Sequence, residues 1–157
     1  MTETEPSAAA RRTWTLEMPA GTPLLNSNDR MHWRKEAPLK KNLRQTACWL
    51  ARAAKIPSMK RASIIAVYEP PDRRRRDPAN LYPSWKAVVD GIVDAGVLPD
   101  DNAEHLDGPD MRLGDIHPQG RLVMYIEDLT DVPPPAPVRP RPSFRLTRRP
   151  VEARPRG

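Results

Sequence analysis

Asp72–Asn102 reads DRRRRDPANLYPSWKAVVDGIVDAGVLPDDN, and the fold is organised around this stretch. Four arginines, Arg73, Arg74, Arg75 and Arg76, lead into Asp77, and the stretch closes on the acidic pair Asp100 and Asp101. Between them Trp85, Val88, Val89, Ile92 and Val93 fall at the spacing of a helix with one buried face. Lys86, Asp90 and Asp94 lie four residues apart on another face. Pro83 suits a first helical turn, and Gly96 followed by Pro99 is a stop signal. The pattern predicts a helix acting as a spacer between two carboxylate sites, with a lysine near the first.

Outward from this stretch, the charge is unevenly placed. Residues 1–76 carry 16 Lys+Arg against 7 Asp+Glu, residues 77–131 carry 3 against 12, and residues 132–157 carry 7 against 1, within an overall +6. A basic first half facing an acidic second half accounts for much of this by internal pairing. It accounts less well for four arginines abutting an aspartate. Carboxylates crowded together call for a cation among them, and a polyanion held by the flanking arginines and lysines would complete the neutralisation.

The 157 residues suit one domain with tails: a disordered leader over 1–12, a domain over 13–131, and a disordered Pro/Arg-rich basic tail over 132–157, where 8 of 26 residues are proline. Aromatic residues make up 5% of the chain, so the core is small and aliphatic and gains from oligomerisation. The single cysteine, Cys48, excludes an internal disulfide, and the three histidines lack zinc-site spacing. With no apolar leader segment and no membrane-length run, the expectation is a cytoplasmic protein with no membrane partner. No internal repeat is present.

Along the chain, Thr13–Met18 alternates as a half-buried strand. Asn26–Arg30 reads as a turn, with His32 and Trp33 after it, and Leu39, Leu43, Ala47, Leu50 and Ala54 mark a second helix bearing Lys40, Lys41 and Arg44 on its wet side. Those basic residues suit either a solvated face or a phosphate-contacting one. Ala62–Tyr68 is apolar on both faces, which predicts a central strand covered on both sides. Met111–Ile116 and Arg121–Ile126 read as a hairpin around His117-Pro118-Gln119-Gly120. The expected class is α+β: a small mixed sheet with two main helices in the order β-α-β-α-β-β.

The run RRRRDPAN, the helix after it and GVLPDD together resemble the RusA family of Holliday junction resolvases, in the form met in actinobacterial phages and prophages. The resemblance covers about residues 13–128 and includes the Asn26–Trp33 segment. It implies a homodimer of small mixed fold that binds four-way DNA junctions and cuts them with Mg²⁺. By motif match, Asp77 and Asp101 would hold the metal and Lys86 would support the chemistry; on their charge, Arg73–Arg76, Arg30, Lys40, Lys41 and Arg44 are the candidate DNA contacts. Two positions depart from the pattern. The family's second aspartate is Ala79 here, and Lys86 follows Asn80 by six residues, three more than the family spacing. Asp100, beside Asp101, is the favoured stand-in for the missing carboxylate, with Asp90 the alternative. The chemistry of the residues agrees in kind, because oxygen donors without Cys or His suit Mg²⁺ or Mn²⁺. The competing expectation is a non-catalytic DNA-binding protein that kept the fold after losing a ligand at Ala79.

Overall fold

The computed structural model describes residues 11–137. The leader expected over residues 1–12 and the tail expected from Val132 therefore fall largely outside the described residues. Seven elements follow one another: β1 (Thr13–Glu17), α1 (Trp33–Ala53), β2 (Ala62–Glu69), a 3-10 turn (Pro78–Leu81), α2 (Tyr82–Asp94), β3 (Leu106–Leu113) and β4 (Arg121–Asp128). The class is α+β with a mixed sheet and two helices, in the order expected from the sequence.

The sheet has the strand order β1-β4-β2-β3. β3 pairs parallel to β2, and β4 runs antiparallel between β1 and β2. This corrects the expected hairpin. The turn itself forms, with the Gly120 amide donating to the His117 carbonyl, but the arms it joins are not neighbours. The connection from β3 to β4 passes over the end of β2, held by Gly114 N–H to the Tyr68 carbonyl (2.8 Å) and His117 N–H to the Pro70 carbonyl (3.0 Å). Polarity explains the outcome: Leu122, Met124 and Ile126 belong to a strand with apolar neighbours on each side, and the β1–β4–β2 arrangement supplies them. β3 starts at Leu106, five residues before the expected Met111, and Ile116 lies outside it.

Both helices pack on one face of this sheet. Trp85, Val88, Val89 and Ile92 of α2 join Leu43, Ala47 and Ala51 of α1 over Leu16, Ile64, Ala66, Leu122, Met124 and Ile126. Burial of each such side chain contributes about 1.5–3 kcal/mol before chain entropy is set against it. The expectation of cover on both sides of β2 is overturned: among the described residues, Ile65 and Val67 on the other face are only partly buried, and Tyr125 beside them is exposed. That face carries Arg121, paired with Glu69 and Glu17.

The helices cross closely at Gly91, where a side chain would collide with the Arg44 carbonyl oxygen and Ala47. α1 begins at Trp33, ahead of the first apolar repeat, because the His32 side chain caps it by accepting from the Arg34 amide (3.2 Å). The chain also stays attached past residue 131. Leu129 is buried, and the buried Arg61 guanidinium donates to the Val132 carbonyl at 3.4 Å.

Candidate functional site

α2 is the crossover that joins the parallel strands β2 and β3. Its N-terminal end, with the arginine run, therefore stands at the carboxyl ends of these strands, where open α/β sheets commonly bind ligands. Asp72 accepts from the Arg74 amide (3.0 Å) and from the Arg76 guanidinium (2.6 Å), which folds the run back on itself. The Arg76 hydrogen bond holds the Asp72 carboxyl below its usual range. Arg73, Arg74 and Arg75 remain exposed. Asp77 caps the 3-10 turn by accepting from the Ala79 amide (3.0 Å).

A second loop is stapled to the same end. The Ser84 hydroxyl, fully buried, accepts from the Leu25 amide (2.6 Å) and donates to the Leu25 carbonyl (2.8 Å), while the Ser27 amide donates to the Asn80 carbonyl (2.8 Å). These bonds place the Asn26–Arg30 turn beside Asp77, with Arg30 exposed. A cavity of about 250 Å³ lined by Asn26, Arg75, Arg76, Asp77 and Asn80 lies between them.

The other candidate carboxylates gather around Lys86. At 1.5 Å per residue, α2 alone would carry its two ends about 20 Å apart. The loop after it turns back instead, so that Lys86 Nζ donates to Asp101 Oδ2 and also to Asp90 Oδ1 (2.6 Å). Burial would lower the Lys86 pKa, but the bonds to Asp101 and Asp90 outweigh it and hold the ammonium above the ordinary lysine value. The same contact holds the Asp101 carboxyl below its usual range. Asp100 stands beside Asp101 in the same loop, its carboxylate accepting from the Asp101 amide (2.8 Å) and the Asn102 side chain (3.1 Å).

Lys86 and Asp90 open into a groove of about 560 Å³ between the helices, whose far wall is Lys40, Lys41 and Arg44 of α1. Lys40 is paired with Glu36 at 2.6 Å. Arg44 is held by Asp94 through two bonds (2.5 and 2.8 Å), which raise the arginine pKa and lower that of the aspartate. It clasps α1 to α2. Lys41 forms no ion pair among the described residues.

The structure thus brings Lys86, Asp90 and Asp101 together, adds the α1 lysines across a groove, and leaves Asp77 in neighbouring cavities. One of these, lined by Asp77, Ala79, Tyr82, Asp110 and Met111, adds two side chains that the sequence pattern did not single out. Asp110 reaches it through the parallel β2–β3 pairing, which the hairpin expectation concealed. Tyr82 lines both this cavity and the groove.

The oxygen donors suit Mg²⁺ in kind. In arrangement, no three His, Cys, Asp or Glu side chains converge among the described residues, and the Lys86 ammonium fills the space between Asp90 and Asp101. A magnesium ion here would rest on one or two carboxylates, with water and substrate oxygens completing its shell. No family model matches the chain, and a search of curated proteins finds no match. No helix among the described residues is long and apolar enough to cross a membrane.

Proposed function

We propose that the chain is a metal-dependent endonuclease acting on branched DNA, in the manner of the RusA family it resembles in sequence. The observation that carries this reading is the groove in which Lys40 and Lys41 face Lys86 and Asp90. A cationic wall opposite a lysine–carboxylate cluster suits a phosphodiester held for attack. Asp101 with Asp100 or Asp90 beside it, or Asp77 in the adjoining cavity, would supply the one or two carboxylates that hold Mg²⁺ or Mn²⁺. Such an ion supplies an acidified water and charge stabilisation at the phosphate. Lys86, freed from one carboxylate, would stabilise the departing oxyanion. Arg73, Arg74, Arg75 and Arg30 contribute phosphate contacts beside it.

Paired cuts on opposing strands call for two sites related by a two-fold axis, and the uncovered face of the sheet around Tyr125 offers area for a homodimer. A second reading, a DNA-binding protein without cleavage, draws support from Ala79 and from Lys86 standing between Asp90 and Asp101.

One experiment separates them: a synthetic four-way junction incubated with the full chain, with and without Mg²⁺ or Mn²⁺. Metal-dependent nicking supports the nuclease. Salt-sensitive binding with no cleavage under either metal supports the second reading, and sedimentation of the same mixtures reports the dimer.

A further inference from the structure

We infer that Tyr82 is a stacking platform for an unpaired nucleobase, which deepens the DNA-binding reading above and rests on it. Tyr82 occupies the first turn of α2, on the same side as the buried helix stripe, yet it is 46% exposed. Its ring is stacked on that of Trp85, with centroids 5.6 Å apart and planes inclined by 20°. Trp85 is 2% exposed and belongs to the core, so the tyrosine is backed by an immobile surface. An aromatic ring fixed in this way loses little freedom when something stacks on it.

Its surroundings choose the occupant. On one side lies the groove where Lys40, Lys41, Arg44 and Lys86 outnumber Asp90, and on the other the cavity with Asp77 and Asp110. A phosphate backbone is drawn to the lysine side, and comes to the carboxylate side only where a bound cation or the neighbouring arginines offset its charge. A base splayed from a backbone in the groove would therefore come to the tyrosine that divides the two cavities. Paired bases within a duplex keep their faces covered by their neighbours, whereas a base at a branch point or in a single strand has a face to offer. The platform thus selects for unstacked DNA, whatever its sequence, because every base has a π-face.

The test compares wild type with Tyr82→Leu, which keeps an apolar side chain over Trp85 but no ring, and Tyr82→Phe, which keeps the ring. Binding is measured by anisotropy on a four-way junction, a single-stranded oligonucleotide and a plain duplex, in Ca²⁺ to prevent cleavage. Tyr82→Leu should weaken junction and single-strand binding by about 5- to 150-fold, the range found for one stacked base, and leave duplex binding unchanged. Tyr82→Phe should match wild type on all three. Placing 2-aminopurine at the branch point gives a direct readout: its fluorescence should be quenched by wild type and Tyr82→Phe and not by Tyr82→Leu. Equal affinities for Tyr82→Leu and wild type, or an equal loss on duplex, overturn the stacking role while leaving the DNA-binding reading in place. Failure of wild type to bind any of the three DNAs overturns both.

Discussion

The Lys86 ammonium donates a hydrogen bond to the Asp101 carboxylate, 15 residues further along, and so ties the loop after α2 to the helix it has just left. The pair also has a pH signature. The Asp101 pKa is depressed in the folded protein, so its contribution is present above the unfolded value near 3.9 and disappears as pH falls through the folded one. The Lys86 pKa is raised, so its contribution is complete below about 10.4 and disappears as pH rises through the folded value. The stability gap between wild type and Asp101→Asn, taken from urea midpoints, should therefore be flat from about pH 5 to 9 and shrink below about pH 4. With both groups partly exposed, the gap should be no more than about 1 kcal/mol.

Removing the candidate catalytic groups should separate binding from cleavage. Asp77→Asn and Asp101→Asn should abolish metal-dependent cleavage while junction affinity holds or rises, since each removes a negative charge facing phosphate. Lys86→Met should slow cleavage by roughly 10²–10³-fold, the cost of losing one donor to a developing oxyanion. Asp90→Asn should cost more activity than Asp100→Asn, because Asp90 shares Lys86 with Asp101 whereas Asp100 bonds its own turn. Wild-type rates in both Asp77→Asn and Asp101→Asn would remove these residues from the site.

The three basic residues of α1 should part company. Lys40→Ala with Lys41→Ala should lower the salt dependence of duplex binding by about 0.9 per lost phosphate contact, with little effect on folding. Arg44→Ala should act on stability first, by about 1 kcal/mol in urea denaturation, since its guanidinium is committed to Asp94. An Arg44→Ala protein of unchanged stability and reduced salt slope would show that the clasp to Asp94 gives way to DNA.

At Gly91 the two helices approach too closely to admit a side chain. Gly91→Ala forces the Arg44 backbone and Ala47 away, and should destabilise the fold by about 1–3 kcal/mol, as overpacking does. Because Lys86, Ala87 and Asp90 line the groove on the same helix, the separation should also weaken junction binding at temperatures where the variant stays folded. Thermal melts and anisotropy on the same samples check both effects.

Much of the architecture was legible locally. The 3.6-residue spacing of Trp85, Val88, Val89 and Ile92 and the alternation of Trp14, Leu16 and Met18 each report one element's buried side, and those sides are buried or partly buried. Pairing partners are not a local property. Nothing in Met111–Leu113 or Arg121–Ile126 states that β2 lies between them, and a proline–glycine turn between two apolar runs suggested adjacency instead. The same limit applied to the site. Lys86 with Asp90 follows from helical spacing, whereas Lys86 with Asp101 depends on the return of the loop. Arg44 looked like a free cation because Asp94 lies 50 residues away. Tyr82 continues the apolar spacing of α2 and would be assigned to the core, but its place in the first helical turn leaves it exposed.

The insertion of β4 between β1 and β2 also sets the order in which the chain can fold. β1 has one partner strand, and its register pairs Thr13 with Glu127 at the opposite end of the domain. On a ribosome, α1, β2, α2 and β3 can meet while β1 still waits for its neighbour, exposing an unpaired strand edge until residue 128 has emerged. Sequence-distant pairing of this kind slows folding, because the loop must close before any contact rewards it. A chain released before β4 is complete would carry two further open edges, on β1 and on β2, and such edges are where nascent domains join one another by mistake.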